Sequence, residues 1–349
     1  MDVSKLGCST NWNKGDVMAL LWIDGFEGYG ASGYIGPYLG YRGWSGATNY
    51  VALQPGRLFG YAAQYGGTWS ISTPNLTTNP TMIIGWAFYA TGTIASYAEL
   101  YYLSTLGIGV IVTPSTITVK LGATAIATWS ATTLLTNIWY YIEAKVFCHS
   151  SSGTVEVRLN GVTIITLSGI NTQTGAEAYY SGVKMTHTSP TWFDDFYVCD
   201  GSGTRCNDFQ GVCKVIGIFP SSDTATEQWT PSTGTAHYAC VDENPPAAAD
   251  YVSTSTQANT DLYGYPSLVG ATGTILGLQV STTMLLAAGT SIILESPIVS
   301  NGIIDLGPDF QLTSATSVDA RHISMTDPNT SDTWTIAGLA AAQIGIKAM

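Results

Sequence analysis

Charge is scarce in this chain: Asp, Glu, Lys and Arg make up 10% of its 349 residues, against roughly 25% in an ordinary soluble domain. No cluster of Lys and Arg occurs, and 12 basic residues scattered among 24 acidic ones leave a net charge of −12. A phosphate backbone has little to hold here, so nucleic acid is not an expected partner. CxxC pairs are missing as well. Cys8, Cys148, Cys199, Cys206, Cys213 and Cys240 stand singly, and the spacing of seven between Cys199, Cys206 and Cys213 is too wide for a zinc knuckle. They read as buried thiols, with a bridge inside 199–213 as the alternative for a chain that spends its life outside the cell. The opening MDVSKLGCSTNWNKGD lacks the apolar run of a signal peptide, which sets the expectation of synthesis in a cytoplasm. Leu262 to Leu294 carries no charge, but Gly277, Gln279, Gly289 and many Ser and Thr interrupt every window long enough to span a bilayer. Buried strands are expected there, and no membrane insertion.

Helical periodicity is nearly absent, and an all-β chain follows, with under about a tenth of its residues in helix. What is abundant suits sheets: 38 Gly for turns, with 20 Tyr, ten Trp and nine Phe for half-buried pleated surfaces. Strand signals recur with Gly, Asn, Ser or Pro between them. The clearest cover Thr81–Ala90, Ala98–Leu103, Gly107–Val112, Ser115–Leu121, Trp139–Cys148, Thr154–Leu159, Thr163–Leu167 and Trp192–Val198. Between TVEVRL and VTIITL the dipeptide Asn160-Gly161 supplies the two positive φ angles of a type I′ hairpin turn. Val155, Val157 and Leu159 then face a core, opposite Glu156 and Arg158.

A boundary is expected near Asp200, where WFDDFYVCD runs into GSGTRCNDFQG. It divides a sandwich over 1–200 from a smaller β-sandwich domain over 201–349. The second unit is expected to start with a strand at Val212–Phe219, and later strands at Thr274–Val280, Ile292–Leu294, Ile303–Leu306 and Ile336–Ile346. A short turn of helix over Leu339–Ile344 is the alternative at the last of these.

The order of three motifs then carries a resemblance. ALLWIDGFEGYG near the start, NIWYYIEAKV followed by SSGTVEVRLNG in the centre, and WFDDFYVCDGSG with Asn207, Asp208, Phe209 and Gly211 at the close are similar to the concanavalin A-like lectin/glucanase superfamily. More narrowly they resemble its phage-encoded virion members, over most of residues 18–215. The resemblance implies a concanavalin A-like jelly-roll sandwich in a bacteriophage structural protein, a tail fibre or baseplate component or a capsid decoration protein. It would be assembled in the host cytoplasm, beside other virion proteins, and not be an enzyme. A host-adhesion module that binds surface glycan is the alternative reading, and a glycoside hydrolase the third.

Hydrolysis would need two carboxylates at a working separation, and the strand pattern offers none. Glu143 stands alone on its strand, where it and Lys145 read as solvated or cross-strand paired charges, and Asp194 and Asp195 are expected on opposite faces. Asp24, Glu27, Asp194 and Asp195 form the candidate calcium set, because the first and last strands of this fold lie close together; carboxylates that cap turns are the plainer reading. No other cofactor is expected. Tyr34, Tyr38, Tyr41, Trp44 and Trp69 form the candidate glycan surface, with packing between subunits as the competing role. The uncharged C-terminal stretch cannot all be buried in so small a domain, so a homo-oligomer is expected, with a trimer favoured from the resemblance.

Overall fold

The computed structural model describes residues 19–30, 33, 35–46, 51–58, 60–65, 68–93, 96–102, 105–130, 133–188, 191–268, 271–313 and 315–349. The described residues form two compact units, one within 18–217 and one within 218–349. Tyr34 lies outside the described residues.

The first unit is an antiparallel sandwich. Its strands are β1 (Leu20–Asp24), β2 (Ser45–Gly46), β3 (Val51–Pro55), β4 (Tyr61–Tyr65), β5 (Thr68–Ser72), β6 (Thr81–Ala90), β7 (Ser96–Tyr102) and β8 (Thr105–Val112). They continue with β9 (Thr116–Leu121), β10 (Thr124–Ser130), β11 (Tyr140–Phe147), β12 (Gly153–Leu159), β13 (Val162–Ile170), β14 (Gly182–Thr188) and β15 (Thr191–Asp200). One sheet runs β13-β12-β11-β6-β15-β4-β3 with β1 on β15, and the other runs β10-β9-β8-β7-β14-β5-β2. Between them Trp22, Trp86, Phe88, Phe193 and Phe196 are buried together with Val110, Val119, Val155, Val157 and Met185. The period-two alternation expected for β12 and β13 is realised: Asn160 and Gly161 hold φ of 49° and 79°, and Val155 and Val157 are fully buried. On the opposite face Arg158 Nε donates to Glu156 Oε1 at 2.8 Å.

The compact unit extends past Asp200 to Gly217, whereas the sequence places the division at Asp200. Residues 201–217 form no strand, so the strand expected to begin at Val212 is absent. Its backbone donors go instead to the sandwich: the Val215 N–H bonds Asp195 Oδ1 at 2.7 Å and the Gly211 N–H bonds Glu143 Oε1 at 2.8 Å. An alternating pattern alone could not show that those partners were side chains.

The second unit is also β. Strands Ser222–Glu227, Thr260–Gly264, Gln343–Ala348, Ile292–Glu295 and Phe310–Leu312 pair in that order, with the hairpin Ile298–Ser300/Ile303–Asp305 joined to them. A separate ribbon pairs Leu278–Met284 with Val318–Ser324. Ile336–Ala341 is a helix whose N-cap Thr335 side chain accepts from the Gly338 N–H, and a strand resumes at Gln343, so both readings of that stretch hold for part of it. Among the described residues the helices of both units are short, and none is long and apolar enough to cross a membrane.

Candidate functional site

The two outer faces of the sandwich are built differently. The outer face of the first sheet carries a buried polar network. Register sets Glu143 on β11, Gly85 on β6 and Tyr197 on β15 in one row. Gly85 has to be glycine: a Cβ there would sit 2.1 Å from Tyr197 Cε1, so the tyrosine ring lies across it to donate its hydroxyl to Glu143 Oε1 at 2.7 Å. Glu143 is 1% exposed, which corrects the expectation of a solvated charge. It is buried because residues 201–217 run over it as a strap. Lys145 Nζ meets Asp208 Oδ1 at 3.0 Å, and the Arg158 guanidinium lies 3.8 Å over the Phe209 ring. Burial pushes the Tyr197 hydroxyl well above its usual range, and the neighbouring Glu143 adds to this.

The four acidic candidates do converge, because β1 pairs directly with β15. Asp194 and Asp195 do not point to opposite faces as strict alternation requires. The β15 register shifts between Asp194 and Tyr197, and Asp195 takes φ 49°, the signature of a bulge that re-aims a side chain. Both carboxylates thereby reach Arg57, whose N–H bonds Asp194 Oδ2 at 2.8 Å and whose Nε bonds Asp195 Oδ2 at 2.6 Å. The same guanidinium donates to the Cys213 carbonyl and lies against the Tyr141 ring.

Calcium does not fit this set. The oxygens of the three aspartates already accept hydrogen bonds: Asp24 from the Phe26 N–H, the Tyr29 hydroxyl and Trp44 Nε1, Asp194 from the N–H groups of Arg57 and Asp195, and Asp195 from Arg57 Nε and the Val215 N–H. An ion that wants six to eight free oxygens finds donors in its place, and among the described residues no three His, Cys, Asp or Glu side chains are arranged to hold a metal. The negative charge is met by protons and by Arg57 instead. Burial, with Asp194, Asp195 and Asp24 nearby, pushes Glu27 up to about 10; burial and the adjacent Asp195 push Asp194 up to about 8.

The aromatic candidates separate. Trp44 is 2% exposed, lies edge-on to Trp22 at 5.1 Å and gives its Nε1–H to Asp24 at 2.8 Å. It is a core residue, which removes it from a ligand surface. The Gly-rich segment around it forms a short helix, Gly36–Tyr41, on which Tyr38 packs edge-on to Tyr41. Tyr41 stays exposed. Trp69 is in β5, its backbone paired with that of His187.

The outer face of the second sheet carries polar side chains set in rows. Its inward positions, Val110, Val119, Val183, Met185 and Ile71, are buried in the core, so their neighbours face outward. Register aligns Lys120 on β9, Gly109 on β8, Glu99 on β7, Lys184 on β14 and Ser72 on β5 in one row. The parallel row carries Thr118, Ile111, Tyr97, Thr186 and Ser70. Lys184 Nζ lies 3.5 Å from Glu99 Oε2, both half-buried, and the buried Thr186 hydroxyl has no hydrogen-bond partner among the described residues. Sequence reasoning missed this face because its residues are unremarkable singly; only the pairing of the five strands β9, β8, β7, β14 and β5 shows them as a row.

No family model matches this sequence, and no curated protein matches it. Solved structures do match over about half of the chain. An alginate lyase, Aly36B, is 9% identical over 54% of this chain and 99% of its own, with a TM-score of 0.38. A Bacillus subtilis protein of unknown function with a galectin-like fold is 10% identical over 52% of this chain and 96% of its own, at 0.37. The carbohydrate recognition domain of Emp46p is 12% identical over 55% of this chain and 99% of its own, at 0.34. Such likeness concerns the fold alone. It does correct one expectation: a lyase stands among the matches, so this fold gives no ground for reading the chain as non-catalytic.

Proposed function

We propose that the first unit is a glycan-binding sandwich that presents the outer face of β9, β8, β7, β14 and β5 to its ligand. The observation that carries this reading is the pair of adjoining rows, Lys120–Gly109–Glu99–Lys184–Ser72 and Thr118–Ile111–Tyr97–Thr186–Ser70. They form a sheet surface of hydroxyl, ammonium and carboxylate groups, with glycine in its middle, over a rigid aromatic and aliphatic core. Groups of that kind match the hydroxyl pattern of a sugar chain, and a site on strands is held more firmly than one on loops. Tyr41, exposed at the end of the helix that leads into β2, can extend the contact at the β2 edge of the same sheet.

A glycan array probed with the whole chain tests it, with Gly109→Tyr as the blocking variant. A Cβ at Gly109 first meets the flexible Glu99 side chain at 3.4 Å, so a larger side chain starts without a backbone clash and fills the row, and a melt beside the array checks that the variant is folded. Binding lost by at least tenfold supports the reading; a ligand bound equally by both proteins overturns it.

A second reading sets this module in a bacteriophage particle as a self-associating structural part, a trimer among other virion proteins. What supports it in the folded chain is the apolar surface of the second unit, where Leu285, Ile303 and Ile304 are each more than half exposed. Side chains of that kind mark contact surfaces. Light scattering at micromolar concentration tests self-association, and a monodisperse monomer refutes it.

A further inference from the structure

The strands β2, β5, β7, β8, β9, β10 and β14 contain three of the chain's 36 charged residues, Lys120, Lys184 and Glu99. All three lie on the outer face and in one register row, with Gly109 between Lys120 and Glu99. Two ammonium groups against one carboxylate make this row locally positive in a chain of net charge −12. Glu99 is committed to Lys184 at 3.5 Å. Lys120, half-buried on β9, makes no ion pair among the described residues. A cation is thus left uncompensated beside a floor of glycine.

Resting on the glycan-binding reading, we propose that the ligand of this face is an anionic polysaccharide, one that carries carboxylate or sulfate groups along its length. It crosses the strands with one anion on Lys120 and another on Lys184. Neighbouring strands lie about 4.8 Å apart, so the three intervals from β9 to β14 set the two positions about 14 Å apart, the reach of a short oligosaccharide. Glu99 lies between them and keeps Lys184 extended over the sheet. The hydroxyls of Thr118, Ser70 and Ser72 flank the two cations and suit the sugar rings between the anions. A neutral glycan would leave the Lys120 charge without a counterion and gain nothing from it. The overall negative charge of the chain does not prevent binding, because at physiological salt charges more than about 8 Å away are largely screened while the half-buried lysines at the contact are not.

Calorimetry on the whole chain tests this with three probes of matched length: a polyuronate, a sulfated polysaccharide and a neutral β-glucan. The expected result is binding of the anionic probes at least tenfold tighter than the neutral one, weakened several-fold when salt is raised from low to physiological strength. Lys120→Ala and Lys184→Ala should each cost about fivefold, and Lys120→Glu more, with melting temperatures unchanged because the positions are partly exposed. Tighter binding of the neutral probe would overturn the anionic assignment and leave the glycan-binding reading standing. Binding of no probe would remove both. Anionic binding that ignores all three substitutions would overturn the assignment to this face.

Discussion

Replacing Glu27 with Gln tests how the acidic pocket is compensated. The side chain is walled by glycines: a Cβ on Gly25 would lie 2.3 Å from Glu27 Oε2, one on Gly60 2.5 Å from its Cγ, and one on Gly217 2.7 Å from its Cβ. With burial first and Asp194 next, its carboxyl is pushed from 4.5 up to about 10, so the folded chain holds a proton there that the unfolded chain releases. A folded pKa above the unfolded one means that this group's contribution is fully present below pH 4.5 and declines as pH rises toward about 10. At 1.36 kcal/mol per unit, and with the proton shared among neighbouring carboxyls, the penalty accumulated by pH 7 is about 1–3 kcal/mol. Gln keeps the shape and is neutral at every pH. The variant should therefore melt about 3–10 °C above the parent at pH 7, for a unit of this size, and match it at pH 4. Calorimetric melts across that range read the difference directly. A variant less stable than the parent at pH 7, together with a parent that calcium stabilises and the variant does not, would refute the reasoning and show that a cation, not a proton, meets the charge.

Two further substitutions follow from the same geometry. Gly85→Ala should cost about 1–3 kcal/mol, because its Cβ falls 2.1 Å from the Tyr197 ring, while Gly109→Ala, whose nearest neighbour is at 3.4 Å, should be close to neutral in the same melts. In the second unit, burial raises the Asp305 carboxyl, but the hydrogen bond and charge of His322 outweigh it and hold it below 3.8, with His322 Nε2 and Asp305 Oδ2 3.0 Å apart. Its contribution is present above pH 3.8 and lost as pH falls through the lower folded value, so Asp305→Asn should be destabilised by less than about 1 kcal/mol at pH 7, the carboxylate being 34% exposed. The two proteins should converge in acid unfolding at lower pH.

How much of this was legible in the sequence depends on whether a feature is local. The strand Thr81–Ala90 and the Asn160-Gly161 turn read directly, because alternation and turn chemistry act over a few residues. The burial of Trp44 did not. Its Gly-rich surroundings suggest a loop, and the partners that bury it, Trp22, Phe26, Phe196 and Asp24, come from β1, the turn that follows it and β15. The bulge at Asp195 is likewise invisible to a period-two reading, since nothing in DDF distinguishes it from a regular strand. The row of Lys120, Glu99 and Lys184 depends on register among β9, β8, β7 and β14, which no single segment encodes.

The motif residues that suggested a family also explain why the sandwich ends where it does. Glu143 and Lys145 belong to the central motif and Tyr197, Asp208, Phe209 and Gly211 to the closing one, and the fold brings the two together at the strap. Their pattern records a closure of the first sheet, not a ligand site, which leaves the second sheet as the face available for recognition. A fragment over 18–217 should therefore fold, whereas one over 18–200 should not fold stably. Cutting at Asp200 removes the Gly211 donor from Glu143, the Val215 donor from Asp195 and the Cys213 carbonyl from Arg57. The first two are hydrogen bonds to charged or partly charged carboxyls, worth about 1.5–3 kcal/mol each, and the cut also uncovers groups that are almost wholly buried, Glu143 at 1% and Asp195 at 3% exposure. A loss of about 3–6 kcal/mol is a large part of the 5–15 kcal/mol that holds a domain folded. Thermal melts of the two fragments decide the point: if the shorter one unfolds within about 2 °C of the longer, the strap contributes little and the polar network beneath it is stable without its cover.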